Sequence, residues 1–354
     1  MDVHVQKRRI SSRQVALAWC GSLLLLIGVF GGGVVALNLT VFGPSGFVTT
    51  YLQTLGARDV DGALSMPGVE LPSDLTPDSA GAALLKRDTL GTISKIRITD
   101  DTDLGSGVHR VTASYTLEGA GRESSRTQSE FVVEHDSMNF GIFSQWRFKE
   151  SPVATLSLAV TNTTSVTVGS AELDSSDLGA GAGAFGAGGR FTVLVPSLVV
   201  LSHKSHYLTS DTVAVALASP GETESGMVKA VPNDLFTQAV TKQLTDFLDD
   251  CAAQKVLYPV GCPFSKSISD RIDGDPSWSI VTYPQIEVVA GPSSWLLADN
   301  TGTAHIDVQV KSLFDGTVSG LSEDVPFSLN YAISLDDAGQ ITFAPRSQNV
   351  AQLN

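Results

Sequence analysis

The stretch PNDLFTQAVTKQLTDFLDDC, Pro232–Cys251, decides the reading of this chain. Pro232-Asn233 opens a helix. Phe236, Val240, Leu244, Phe247 and Cys251 then recur in steps of 4, 4, 3 and 4, which is one helical face. Downstream, Trp278–Val289, Ala304–Leu313, Val325–Leu335 and Ile341–Phe343 read as strands, with Tyr283-Pro284 limiting the first to an edge or a bulge. Residues 230–354 therefore predict an α+β unit in which a helix covers the apolar face of an antiparallel sheet.

The same order occurs earlier. After Gly43-Pro44, Ser45 is a candidate N-cap, and Val48, Tyr51, Leu52 and Leu55 follow at helical spacing. Thr76-Pro77-Asp78 marks a second helix start, with Ala82–Arg87 as its body. Ile93–Ile98, Val108–Leu117, Glu130–His135 and Ile142–Phe148 read as strands. Residues 44–150 thus predict a first α+β unit. Between the two, 151–229 is rich in Thr, Ser, Val and Gly, with strand-like Leu156–Val160, Phe191–Val195 and Val213–Leu217. It predicts a small all-β domain carrying a low-complexity loop, Gly179–Gly189.

No Asp, Glu, Lys or Arg occurs from residue 14 to residue 57. Val15–Leu39 is its most apolar part and is long enough to predict a transmembrane helix. Lys7, Arg8, Arg9 and Arg13 precede it, so residues 1–14 are expected to be a cytoplasmic tail and everything after Leu39 to lie outside. The expected fold class is then α+β: a single N-terminal transmembrane helix and two cone-like helix-plus-sheet units flanking a small all-β domain. The rival reading, a cleaved signal peptide, normally has a shorter apolar core. A lipoprotein would place its apolar run before Cys20, whereas most of it lies after that residue.

The chain has 354 residues, with 23 Lys and Arg against 37 Asp and Glu, a net charge of −14. Its first 14 residues are net positive, so the acidity belongs to residues 15–354. Nucleic-acid binding needs clustered Lys and Arg and is excluded as an expectation. Cys251 and Cys262 bracket CAAQKVLYPVGC. With no second thiol pair and no nearby His to make a zinc site, and with export expected, they predict a disulfide.

YLQTLGARDVDGAL (Tyr51–Leu64) and the closing QWRF (Gln145–Phe148) resemble nuclear transport factor two-like domains. FTVLVPSLVVLSHKSHYL (Phe191–Leu208) is similar to small β domains beside such units in membrane-anchored bacterial envelope proteins, the teicoplanin-resistance-associated membrane proteins among them. That family usually begins with a cytoplasmic zinc ribbon, but no Cys precedes Cys20 here. DFLDDCAAQKVLYPVGCPF (Asp246–Phe264), PSWSIVTYP (Pro276–Pro284) and VKSLFDG (Val310–Gly316) resemble segments of uncharacterised single-span envelope proteins of high-GC Gram-positive bacteria. The resemblance implies an architecture and carries over no catalytic residue.

Gly181–Gly186 fits G-x-G-x-x-G, but a dinucleotide site needs a strand before it and a helix after it, and here a strand-like run comes after it. No nucleotide is expected. His203 and His206 would share a face on a helix and diverge on a strand. They read as exposed polar groups, not ligands. Asp270–Asp275 and Asp100–Asp103 lack the spacing of a calcium loop and read as acidic turns. No nucleophile motif selects a serine, and no metal or cofactor is expected.

The function expected is binding or scaffolding at the cell envelope, with an envelope ligand or a membrane protein as partner. The location expected is the cell membrane, single-pass, with the folded part extracytoplasmic. Tyr51, Leu55, Trp146 and Phe148 in the first unit, and Phe247, Trp278 and Tyr283 in the last, are candidates to line a cavity under the sheet, or else to form the cores. The alternatives are an extracytoplasmic hydrolase using such a cavity and an accessory subunit of a membrane complex. An inward-facing pair of His305 and Asp307 would favour the enzyme.

Overall fold

The structure, a computed structural model, describes residues 19, 21–33, 41–76, 79–119, 126–139, 143–178, 185–298, 300–336 and 339–346. They divide into two compact units. The first comprises the chain up to Leu156 with Phe191–Val199 and Val215–Glu224; the second comprises Ser157–Arg190, Val200–Ala214 and Ser225 onward.

The expected α+β class is overturned, because the architecture is mainly β, with six sheets among the described residues. Past residue 43, only helices α1 (Pro44–Gly56) and α4 (Asp234–Ala252) exceed five residues among the described residues; α2 (Val60–Leu64) and α3 (Ser175–Leu178) are single turns. In place of the short helix expected at Ala82–Arg87 stand two 3-10 turns, Ala80–Ala82 and Arg87–Thr89, while Pro77 and Asp78 of its expected start lie outside the described residues. A helix this short must repay its nucleation through packing. Here the buried Leu84 and Leu90 pack from irregular backbone, and the Thr89 hydroxyl donates to the Leu84 carbonyl at 2.7 Å.

The expected transmembrane helix is also overturned. Within 15–39, helix is described at 19 and 21–33. No helix among the described residues is long and apolar enough to cross a membrane. The rest of that stretch and the basic tail 1–14 lie outside the described residues.

In the first unit, strands β1 (Thr92–Gly105), β2 (Val108–Glu118), β3 (Arg126–Asn139) and β4 (Phe143–Phe148) form an antiparallel meander. Alternation places Val111, Ala113, Tyr115 and Leu117 of β2 on the buried face with Phe131 and Val133 of β3. Helix α1 lays Val48, Tyr51, Leu52 and Leu55 onto them. Gly43, not Ser45, is its N-cap, with Pro44 in the first turn; the Ser45 hydroxyl instead donates to Asp101 at 2.6 Å. Gly68 has φ +80, and a Cβ there would lie 2.2 Å from the Phe148 carbonyl oxygen, so no other residue fits this turn.

The segment expected as a small β domain contributes residues to both units. Its strands are β5 (Val153–Thr161), β6 (Val166–Val168), β7 (Ala171–Leu173), β8 (Gly186–Leu194), β9 (Ser197–Ser202), β10 (Leu208–Thr209), β11 (Val213–Leu217), β12 (Thr223–Lys229) and β13 (Val231–Pro232). They assemble in the orders β11-β9-β6-β7, β12-β5-β8 and β10-β13.

In the second unit, α4 starts at Asn233, whose side chain accepts from the Phe236 N–H at 3.0 Å. Its buried face is Phe236, Val240, Leu244, Leu248 and Cys251, so Leu248 replaces Phe247 in the expected stripe and Phe247 is half-buried. Cys251 and Cys262 form the expected disulfide, with Cα atoms 5.8 Å apart. Strand β18 (Gly302–Lys311) pairs with β19 (Val318–Phe327) along its length, and also with β15 (Ser277–Thr282) and with the short β14 (Arg271–Ile272). A second sheet runs β16 (Val288–Ala290), β17 (Trp295–Leu297), β20 (Tyr331–Leu335) and β21 (Ile341–Pro345). Trp278, Trp295, Ala304, Ile306, Val308 and Ile333 fill the core with the face of α4.

Candidate functional site

The second unit carries an open groove of about 720 Å³. Its walls come from turns: residues 162–165 before β6, the hairpin 203–208 before β10, and residues 293–295 entering β17, with β20 beside them. The hairpin folds because its polar groups satisfy one another locally. The Ser205 N–H donates to the Leu208 carbonyl at 2.9 Å, and the Leu208 N–H donates to Ser205 Oγ at 3.1 Å. Ser210 closes the neck: its Oγ accepts from the His203 N–H at 2.7 Å, and its N–H donates to the His203 carbonyl at 2.9 Å.

His203 is 5% exposed, which corrects the expectation of an exposed polar histidine; His206 is exposed as expected. Burial pushes the His203 imidazole below its ordinary pKa, against the opposing pull of the Ser165 carbonyl and of Glu172. The ring is therefore neutral near pH 7. Its Nδ1 lies 3.0 Å from the Ser165 carbonyl oxygen, which can only accept, so Nδ1 carries the proton. Nε2 is then an acceptor, 3.2 Å from Ser205 Oγ.

The hairpin is tied to the core by Asn233, whose Nδ2 donates to the His206 carbonyl at 2.9 Å and whose N–H donates to the Tyr207 carbonyl at 3.0 Å. The Tyr207 ring packs on Phe236, with centroids 5.4 Å apart, and Trp295 meets Phe236 edge-on at 5.9 Å. Glu172, Asp174 and Asp336 line the groove, and no Lys or Arg does among the described residues. Hydrogen bonds from Ser176 and Asp177 hold the Asp174 carboxyl below the usual carboxylate range. The groove is an acidic, hydroxyl-rich surface with aromatic side chains in its walls.

None of the aromatic residues expected to line a cavity borders this groove. Tyr51, Leu55 and Phe148 are fully buried in the core of the first unit. Trp146 lies half-buried on the same sheet, edge-on to His109 at 5.1 Å and His135 at 5.7 Å. Trp278 is buried, its Nε1 donating to the Val256 carbonyl at 2.8 Å. Phe247 meets Tyr331 edge-on at 6.2 Å, and the exposed Tyr283 hydroxyl donates to Asp249.

His305 and Asp307 lie on the outer face of β18, because Ala304, Ile306 and Val308 occupy its core face. There His305 Nδ1 is 2.6 Å from Asp324, and its Nε2 is 3.0 Å from Ser322 Oγ and 3.4 Å from Asp307. The bond to Asp324, helped by the charges of Asp307 and Asp324, raises the His305 pKa. The acidic turns use their carboxylates on backbone and hydroxyl groups: Asp270 accepts from the Leu313 N–H at 3.1 Å, and Asp103 from the Gly105 N–H at 2.7 Å. Among the described residues, no group of three or more His, Cys, Asp and Glu side chains could hold a metal ion. Gly186 opens β8, while 179–184 lie outside the described residues.

Sequence reasoning missed the pairing of His203 with Ser205. An i, i+2 pair on a straight strand lies on one face yet about 6.5–7 Å apart. Only the hairpin brings the hydroxyl back to the ring, and the available signal was the cluster Ser202–His206 between two apolar runs. Comparison with protein-family models, with curated proteins and with solved structures finds no match.

Proposed function

We propose that the protein is an extracytoplasmic ligand-binding protein of the cell envelope and that its ligand lies in the groove of the second unit. The observation that carries this reading is the contrast between the apolar, buried cores and the open polar groove. Ligand sites are concave surfaces with a few placed polar groups against apolar or aromatic walls. The carboxylates of the groove, unopposed by lining Lys or Arg among the described residues, favour a neutral or cationic ligand. The Cys251–Cys262 disulfide supports an oxidising compartment. The outward position of His305 and Asp307 removes the inward polar pair that would have favoured a hydrolase working inside the sheet.

The test is co-sedimentation of the full chain with purified cell-wall sacculi of a high-GC Gram-positive bacterium. Ser294→Trp, which fills the groove from the edge of β17, should release the protein into the supernatant. Arg110→Ala, at an exposed position on β2 in the first unit, should not. Equal retention of the wild type and Ser294→Trp contradicts the reading.

A further inference from the structure

We propose that Ser205 and His203 form a nucleophile–base pair that hydrolyses carboxylic esters bearing no negative charge. The proposal rests on the groove being a ligand site, and adds turnover to it.

The geometry follows the nucleophile–base–orienter order of acyl-transfer sites. Ser205 Oγ lies 3.2 Å from His203 Nε2, and His203 Nδ1 lies 3.0 Å from the Ser165 carbonyl. The carbonyl takes the place that a carboxylate has in the Ser-His-Asp triad: it fixes the tautomer and the ring plane. Ser205 is exposed to the groove while His203 stands behind it, shielded from water. The Leu208 N–H on Ser205 Oγ, at 3.1 Å, holds the hydroxyl rotamer. The N–H groups of His206 and Tyr207 follow the nucleophile directly and have no hydrogen-bond partner among the described residues. A backbone N–H next to the nucleophile is a recurrent oxyanion donor.

A second serine and histidine, Ser322 and His305, make a useful contrast. Their 3.0 Å approach is closer, and Asp324 completes an apparent triad. Yet His305 sits on an outer sheet face, and two carboxylates hold its proton. The raised pKa of His305 widens the pH range in which Nε2 is protonated and donates to Ser322 instead of accepting its proton. His203, neutral through burial, can accept a proton.

In the first half-reaction, Ser205 Oγ attacks the ester carbonyl carbon and its proton passes to His203 Nε2. The negative charge on the former carbonyl oxygen is assigned to the His206 and Tyr207 N–H groups as its donors. The bond to the alcohol oxygen then breaks, and that oxygen takes the proton from His203. In the second, water attacks the acyl-serine and gives a proton to Nε2. That proton returns to Ser205 Oγ as the carboxylic acid leaves. One ester and one water become one acid and one alcohol. Glu172, Asp174 and Asp336 repel an anionic acyl group.

The test uses the full chain, p-nitrophenyl acetate and a fluorophosphonate probe. The probe should attach to Ser205, located by peptide mapping. Ser205→Ala should lower hydrolysis about 100-fold or more, and His203→Gln should do the same, general-base catalysis contributing on that scale. Ser322→Ala should leave the rate unchanged. p-Nitrophenyl succinate, which carries a carboxylate, should react at least about tenfold more slowly than the acetate. His203 is buried, so its variant is checked for folding by near-ultraviolet circular dichroism; Ser205→Ala, at an exposed site, carries the decision. Labelling elsewhere, or wild-type hydrolysis by Ser205→Ala, overturns the proposal. Retention on sacculi without labelling overturns catalysis alone and leaves the binding reading standing.

Discussion

The Tyr51 hydroxyl donates to the backbone carbonyl of Val195 at 2.7 Å, joining residues 144 positions apart inside the first unit. Tyr51 is fully buried, and burial pushes its phenol well above the ordinary value, so it stays a neutral donor. Tyr51→Phe keeps the ring contacts with Phe131 and Phe148 but strands the Val195 carbonyl. An unsatisfied buried carbonyl costs about 1–3 kcal/mol. Urea denaturation should show a lower midpoint; an unchanged midpoint contradicts the role given to this bond.

The disulfide makes a separate prediction. It closes a loop with a sequence separation of 11, and a loop of that length restricts the unfolded chain by about 2–3 kcal/mol. Reduction, or the double change Cys251→Ala with Cys262→Ala, should lower stability by that order in denaturant. Identical curves with and without reductant would mean that the bridge constrains nothing.

Asn233 links the fold to the groove. Its side chain caps α4 through Phe236 and also holds the His206 carbonyl. Loss of such a cap typically costs about 1 kcal/mol. Asn233→Ala should lose that stability and also weaken retention on sacculi, because the hairpin loses its tether. Full retention by a destabilised Asn233→Ala would separate the cap from the site.

His305 and His203 make opposite contributions to pH dependence. The folded pKa of His305 is raised, so its contribution is fully present below the unfolded value near 6.5 and is lost as pH rises through the folded one. His305→Gln should therefore be less stable than wild type at pH 5.5, with the gap closing by pH 9. The folded pKa of His203 is lowered, so the unfolded chain binds more protons and His203 opposes folding as pH falls below about 6.5. A His305→Gln gap that widens with pH would contradict the first assignment.

Much of the second unit was legible. Helix α4 announced itself through Asn233 and a 3.6-residue stripe, and β18 through strict alternation. The stripe misplaced only Phe247, because adjacent Phe and Leu both fit a helical face and packing chose Leu248. The fold class was misread for two physical reasons. Short apolar runs such as Phe191–Val195 do not disclose how many sheets they will form, and the helix signal at Ala82–Arg87 lost to irregular packing of Leu84 and Leu90. The N-terminal stretch read as a span from its length, its apolar composition and the basic residues before it, whereas no helix among the described residues is long and apolar enough to cross a membrane. The groove escaped because turns build it, and turns carry no period. Of the two readings given to the aromatic residues, cavity lining or core, Tyr51, Phe148 and Trp278 take the second.

Hydrogen–deuterium exchange of the full chain, with and without soluble fragments of sacculi, tests the ligand groove most directly. Binding there should slow exchange in peptides covering 203–208 and 293–297 and leave β1 and β2 unchanged. Protection confined to the first unit, or no protection while the fragments are bound, would contradict the account.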